Sequence, residues 1–201
     1  WDNPLGRGRP FCQFAFPLLR DTFPAQLAAT DEETIYRAVN RVQPSLIRVD
    51  ADEVTYPLHI ILRFELERDL FEHRLSPRDL PAAWNAKMRE YLGIDVPDVA
   101  NGVVQVVHWS EGMFGYFPTY ALGTVIAVQI WDRVRLDIPN LDEQTAGGDF
   151  RELRGWLRDH LHQFGRKFTP KETIARVAGG PIDPEPFLRY VTAKVDELYG
   201  A

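Results

Sequence analysis

Apolar residues recur every three or four positions along most of the chain, a spacing typical of helices that bury one face. The longest run of this kind extends from about Asp52 to His73. Its apolar positions are Val54, Leu58, Ile61, Leu62, Leu66 and Leu70. The charged residues between them, Glu65, Glu67, Arg68 and Asp69, are predicted to occupy the rest of the helix surface.

Capping and helix-breaking residues predict where further helices begin and end. Thr30-x-x-Glu33 is spaced as a capping box, and Thr169-Pro170-Lys171-Glu172 is predicted to start a short helix. The other predicted helices are 10–23, one from Thr30 ending before Pro44, one after 76–79 ending near Gly93, 116–134, 150–164, one from Thr169 to Gly179-Gly180, and 184–198. Residues 94–105 and 136–148 are predicted loops, and 103–107 could form a short strand. The fold class predicted is all-α.

Composition limits what this helical chain can be. With 201 residues and 45% hydrophobic content, one domain spanning 1–201 is expected. A net charge of −6 disfavours a nucleic-acid partner, and no apolar run reaches the ~20 residues needed to cross a bilayer. The single cysteine, Cys12, lies among phenylalanines, so we expect a buried thiol and a reducing, cytoplasmic location.

The stretch from His108 to Gly123 concentrates groups that could serve chemistry. His108 is followed by a glycine-bearing turn, then by Tyr116 and Tyr120, just before an apolar helix. An imidazole and phenol hydroxyls can donate hydrogen bonds to an oxyanion that develops on a carbonyl. The same side chains could instead pack in an aromatic core, and spacing alone favours that second interpretation.

Several motifs resemble those of one enzyme family. Gly102-Val103-Val104-Gln105-Val106-Val107-His108-Trp109 is similar to the Gly-x-x-Gln-Asp-x-His-Trp motif of the M32 zinc metallocarboxypeptidases, with Val106 where the family has Asp. Ile47-Arg48-Val49-Asp50-Ala51-Asp52-Glu53-Val54-Thr55-Tyr56 resembles a second motif of that family. The opening, Trp1-Asp2-Asn3-Pro4-Leu5-Gly6-Arg7-Gly8, and the end, from Pro184 to Gly200, also resemble the family's sequences, so the likeness runs along the whole chain.

The resemblance implies a zinc site that this chain does not itself contain. The family binds zinc through His-Glu-x-x-His and the Glu of a His-Glu-Ser motif, and neither occurs here. His160 and His162 are two positions apart, which puts their rings on different sides of a helix. We therefore expect no metal ligands in this chain, and we interpret it as the C-terminal portion of a longer enzyme, forming one wall of a deep active-site cleft.

The resemblance also suggests roles for residues of this chain. Arg48, and less strongly Arg7, would bind the terminal carboxylate of a peptide, because a guanidinium can grip a carboxylate with two hydrogen bonds. The alternative for Arg48 is an ion pair with Asp50 or Asp52. His108 with Tyr116 or Tyr120 would stabilise the oxyanion.

Other residues are expected to support that site. Gln105 would orient backbone or substrate, while Asp52 and Tyr56 would act behind the substrate-contacting groups or cap a helix. Val106 would remove an acceptor for His108 or for a zinc ligand.

Two functions of different classes follow. The first is the C-terminal part of a zinc carboxypeptidase that releases C-terminal amino acids from peptides and is inactive alone. Its partners would be the missing N-terminal part and a second copy in a homodimer. The alternative is a truncated homologue acting as a metal-free helical binding or dimerisation module.

Overall fold

A computed structural model describes residues 2–200, and within them every regular element is helical. The fold class predicted from the sequence is therefore confirmed. The α-helices are α1 (Arg9–Thr22), α2 (Glu32–Val39), α3 (Tyr56–Phe71), α4 (Leu80–Leu92), α5 (Val107–Ser110), α6 (Pro118–Asp137), α7 (Leu141–Ala146), α8 (Arg151–His160), α9 (Pro170–Ala178) and α10 (Glu185–Tyr199). Short 3₁₀ turns occupy Arg48–Asp50, Val103–Gln105 and His162–Phe164, and a π-helical turn occupies Asp2–Gly6.

Three local predictions were wrong. The expected loop at 136–148 contains α7, whose first turn carries Asp142 and Glu143, favourably placed for the helix dipole. The possible strand at 103–107 is a 3₁₀ turn followed by α5. The first capping box is displaced by one residue, because Asp31 rather than Thr30 accepts the backbone N–H of Thr34, at 2.8 Å.

The predicted helix start at Thr169 is confirmed, and the structure shows a capping box there. The Thr169 hydroxyl oxygen accepts from the backbone N–H of Glu172, and the Glu172 carboxylate accepts from the backbone N–H of Thr169 at 2.8 Å. These reciprocal bonds satisfy two N–H groups that the first turn of α9 would otherwise leave unpaired.

The residues group into two compact units. We call Arg41–Gly123 the central unit, and we call the described residues before Arg41 and after Gly123 the terminal unit. α6 contributes its residues up to Gly123 to the central unit and the rest to the terminal unit. The expectation of a single domain across 1–201 stays a prediction.

The core of the central unit lies between α3 and α4. Leu62 and Leu66 of α3 are buried with Trp84 and Met88 of α4, all at 1% exposure or less. Burying a side chain of this size contributes roughly 2 kcal/mol. The apolar spacing of the sequence therefore identified Leu62 and Leu66 correctly, whereas Ile61, from the same predicted face, is 41% exposed.

The same helix also buries charged and polar side chains. His59, Arg63 and Glu67, spaced four residues apart on one side of α3, are 0%, 2% and 6% exposed. The prediction that Glu67 lies among the surface residues of this helix was wrong. Other segments of the central unit cover this side of α3, as the contacts described below show.

The terminal unit has its own core. Trp131 and Val134 of α6 pack with Leu153 and Trp156 of α8. Cys12 is buried in a smaller cluster with Tyr36 and Leu198, which confirms the buried thiol. Burial raises the pKa of that thiol, which disfavours the nucleophilic thiolate form.

One glycine of the terminal unit is required by close packing. Gly148 has φ +73°, and a Cβ there would lie 2.4 Å from the Phe14 ring. A larger residue would both strain the backbone and displace α1 from the segment after α7.

Candidate active site

Arg48 lies in a 3₁₀ turn of the central unit and is half-buried. Its Nη1 donates to the Tyr56 hydroxyl at 2.7 Å, and its guanidinium lies 5.0 Å from the centre of the Tyr120 ring. Among residues 2–200 no carboxylate forms an ion pair with Arg48, so the predicted alternative of a pair with Asp50 or Asp52 is wrong. Arg48 therefore keeps donors that are not neutralised by a protein carboxylate.

Asp52 is occupied by backbone groups at the start of α3. One of its carboxylate oxygens accepts from the N–H groups of Val54 and Thr55, at 2.8 and 2.9 Å, and the other from Gln43 N–H at 3.0 Å. This is the helix-capping geometry predicted as one of its roles. Asp52 fixes the turn from which Tyr56, the partner of Arg48, enters the helix.

His108 and Tyr120 form a direct pair. The Nε2 of His108 lies 2.9 Å from the Tyr120 hydroxyl, and the His108 ring is buried against Phe117 with centroids 4.7 Å apart. Tyr116 precedes α6 rather than lying on it, is 45% exposed, and stacks beside His108 with centroids 5.8 Å apart. The two tyrosines therefore have different settings: Tyr120 is hydrogen-bonded to the imidazole, and Tyr116 is exposed beside it.

The pKa of His108 is lowered from its ordinary value. Burial is the largest cause, followed by the positive charges of Arg48 and Arg63, while the carboxylate of Glu67 acts in the opposite direction. A neutral imidazole carries one N–H donor and one acceptor nitrogen. At neutral pH the pair can therefore present a hydrogen-bond donor without adding a charge.

Gln105 is held by protein groups on both sides of its amide. Its Nε2 donates to the carbonyls of Leu46 and Asn101, at 3.3 and 2.8 Å, and its Oε1 accepts from Arg63 at 3.2 Å. The predicted role of orienting backbone matches these contacts, whereas a direct contact with substrate would require them to break.

Glu67, in the central unit, is a residue of the candidate site that was not predicted from the sequence. Its carboxylate accepts from the indole Nε1 of Trp109 at 3.0 Å and from the backbone N–H of Gly115. Gly115 has φ +75°, a conformation that favours glycine. Glu67 thereby fixes both ends of the turn between His108 and Tyr116. The four-residue spacing from His59 through Arg63 to Glu67 was the available signal.

Arg7 and Val106 lie in other settings. Arg7 belongs to the terminal unit, where its guanidinium donates to the carbonyl of Val39 at 3.3 Å. Val106 is 5% exposed and packs in the apolar core of the central unit. Trp1, which opens the first motif, lies outside the described residues.

Nowhere in residues 2–200 do three His, Cys, Asp or Glu side chains converge in a way that could hold a metal ion. The ring of His160 instead stacks on Trp156, with centroids 4.4 Å apart. The residues present do not fit a zinc ion, so no chemical step below passes through a metal held by them.

The terminal unit contains a separate cavity of about 440 Å³. Two of its lining arginines are paired with lining aspartates: Arg135 with Asp142 at 2.7 Å and Arg189 with Asp132 at 3.2 Å. Arg9, also in the lining, pairs with Glu197 and with Glu33. These cations are neutralised locally, unlike Arg48.

No helix in the described part of the chain has the length and apolar character needed to cross a membrane.

Comparison with known proteins identifies the family. The model of the carboxypeptidase Taq (M32) metallopeptidases matches residues 1–195. Thermostable carboxypeptidase 1 of Thermus thermophilus is 44% identical over all of this chain, and carboxypeptidase 1 of Bacillus subtilis is 37% identical over 99% of it. The crystal structure of the M32 carboxypeptidase from Deinococcus radiodurans superposes with a TM-score of 0.97 at 44% identity, over 100% of this chain and 41% of that one.

The share of the relatives that is matched is as informative as the identity. The chain spans 39% of the Thermus protein and 40% of the Bacillus protein. Within that span the likeness extends over both units and includes the motifs around Arg48 and His108. The chain belongs to the M32 family of metallopeptidases.

Proposed function

We propose that this chain forms the carboxylate-binding and oxyanion-stabilising part of a zinc-dependent carboxypeptidase that releases C-terminal amino acids from peptides. The observation that carries the proposal is Arg48, a half-buried guanidinium held by a phenol hydroxyl rather than by a carboxylate. Such a guanidinium can bind the terminal carboxylate of a peptide without first breaking an ion pair. A charge-assisted bidentate contact of this kind is selective for free carboxyl termini.

The His108–Tyr120 pair would complete the site. Its position beside Arg48 is supported by the Tyr120 ring, which the Arg48 guanidinium faces while the Tyr120 hydroxyl meets His108. A donor from this pair could stabilise negative charge on the carbonyl oxygen of the scissile bond. Tyr116, exposed next to His108, is available to contact the substrate as well.

The metal would be supplied by residues outside this chain. The family is one of metallopeptidases, and we propose zinc as the metal of the complete enzyme. This chain alone is then expected to bind peptides without cleaving them. A homodimeric state and a cytoplasmic location stay predictions.

The rest of the enzyme would dock on an exposed apolar face of the central unit. Ile61, Phe64 and Phe71 on α3 are 41%, 41% and 61% exposed, and Phe114 stacks edge-on against Phe71 with centroids 5.0 Å apart. An exposed face of this kind favours association. We expect Phe71→Glu to reduce self-association of the isolated chain in sedimentation velocity, and Leu136→Glu, at a 74% exposed leucine of the terminal unit, to leave it unchanged.

Nuclear magnetic resonance would test the assignment of the peptide site. Acetyl-trialanine, which has a free carboxylate, should shift signals of Arg48, His108 and Tyr120, whereas acetyl-trialanine amide should shift them much less. Shifts confined to the terminal unit, or equal shifts with both peptides, would contradict the proposed function.

A further inference from the structure

Arg63 is a buried cation with only neutral partners. It is 2% exposed, and its Nη1 donates to the backbone carbonyl of His59 at 2.7 Å. Its guanidinium also lies 4.6 Å from the centre of the Trp84 ring. In the described part of the chain no carboxylate pairs with it. A cation is costly to bury without an anion, so the position calls for a role beyond packing.

The neutral side chain that Arg63 holds is Gln105. The Nη2 of Arg63 donates to Gln105 Oε1 at 3.2 Å, which leaves both amide hydrogens of Gln105 free to donate elsewhere. They go to the carbonyl of Leu46, two residues before Arg48, and to the carbonyl of Asn101, in the loop that leads to His108. Arg63 also fixes which end of the amide faces each partner, because a guanidinium has donors and no acceptor.

We propose that the buried Arg63 and the half-buried Gln105 act as one positioning pair that sets the placement of Arg48 relative to His108. Arg63 anchors Gln105 to α3, and Gln105 anchors the two backbone segments that carry the substrate-facing groups. The pair does not contact substrate. The inference deepens the proposed function and rests on it for the meaning of Arg48 and His108, but the positioning itself can be measured separately.

The charge of Arg63 has a second consequence at the same place. The groups that act on His108 are Arg48 and Arg63, which favour its neutral form, and Glu67, which opposes them. Removing the Arg63 charge should therefore move the midpoint of the His108 titration upward. Removing only the Gln105 amide should leave that charge, and the midpoint, in place.

Two variants separate these effects. Gln105→Met keeps length and removes the ties to Leu46 and Asn101, while Arg63→Met removes the tie and the charge together. Lys87→Met is the matched control, because it disrupts another half-buried polar contact of the central unit, between Lys87 and Glu65 at 2.5 Å. None of these three residues is assigned to the substrate contacts.

Hydrogen exchange followed by mass spectrometry gives the direct readout. Both Met variants at the positioning pair should raise exchange in 44–50 and 101–108 together, while the control raises it in neither. In proton-detected titrations of the His108 ring, Arg63→Met should raise the midpoint, and Gln105→Met should not change it. Affinity for acetyl-trialanine should fall about tenfold in both.

The outcomes distinguish this inference from the proposed function. If the wild-type chain does not bind acetyl-trialanine but exchange and titration change as expected, the positioning pair stands and the proposed function fails. If Gln105→Met folds and leaves exchange in both segments unchanged, the positioning pair is refuted. Equal exchange increases in Gln105→Met and Lys87→Met would also refute it, because they would reflect general loss of stability.

Discussion

Two arginines of the terminal unit and two of the central unit have opposite surroundings. Around the cavity of the terminal unit, Arg135 and Arg189 each face an aspartate. In the central unit, Arg48 bonds a tyrosine hydroxyl, and Arg63 bonds a backbone carbonyl and a glutamine. The first arrangement neutralises charge locally, whereas the second leaves positive charge at a half-buried position, Arg48, and at a buried one, Arg63.

This difference separates structural cations from functional ones. An exposed ion pair contributes little to stability and offers nothing to a ligand, because each charge already has its partner. A desolvated cation with neutral partners is costly to the fold but attracts an external anion strongly. The four predictions below test that comparison, from the largest expected effect to the smallest.

Acid stability tests the positive surroundings of α3. Burial, together with the charge of Arg63, lowers the pKa of His59 to about 4. Between about pH 6.5 and 4 the unfolded chain binds a proton there that the folded chain does not, so stability is full above this window and falls through it as pH is lowered. The free energy of unfolding, measured with urea, should fall by about 3 kcal/mol across this window, and by much less in His59→Gln. A pH-independent midpoint in the wild-type chain would contradict the prediction.

Glu67→Ala tests whether the buried carboxylate stabilises the fold as a hydrogen-bond acceptor rather than as a counter-charge for the nearby arginines. Trp109 Nε1 and the Gly115 N–H would both lose their acceptor. Unfolding should become easier by about 2 kcal/mol, and Glu67→Gln should lose less because it keeps one acceptor oxygen. A loss in Glu67→Gln equal to that in Glu67→Ala would show that the negative charge, not the acceptor, is what the site needs.

Tyr56→Phe removes the neutral partner of Arg48. The guanidinium loses its 2.7 Å bond to the hydroxyl, so acetyl-trialanine should bind about fivefold more weakly, or about 1 kcal/mol. Tyr91→Phe is the matched control, since its hydroxyl donates to Glu65 at 2.6 Å in the same unit. An equal loss of affinity for acetyl-trialanine in both variants, measured by calorimetry, would show that Tyr56 has no special role in binding.

Arg135→Met addresses the paired cations of the terminal unit. Arg135 and Asp142 are about half exposed, so thermal unfolding should change by about 0.5 kcal/mol and peptide affinity should not change. A loss of peptide affinity in this variant would break the distinction between the two units.

Much of this fold could be predicted because the residues that determine a helix lie close together in the sequence. The apolar spacing of Leu62 and Leu66 identifies the buried face of α3 without knowledge of any other segment. The start of α9 after Thr169 and its end at Gly179 are likewise predicted from neighbouring residues. α7 was missed because its six residues lie between Pro139 and Gly147-Gly148, which are typical of a loop.

The site was only partly predictable, because its contacts join distant segments. Arg63 and Gln105 are 42 positions apart, as are Glu67 and Trp109. On a helix surface such polar residues look like a solvated face until another segment covers them. The resemblance to a family directed attention to Arg48 and His108, but the partners that orient them became visible only in three dimensions.

The central claim is that Arg48 recognises a free carboxyl terminus. The most direct measurement is the ratio of dissociation constants for acetyl-trialanine amide and acetyl-trialanine, determined by calorimetry for the wild-type chain and for Arg48→Met. The account predicts a ratio of about ten or more in the wild-type chain, falling to about one in the variant. A ratio that is the same in both proteins would contradict it.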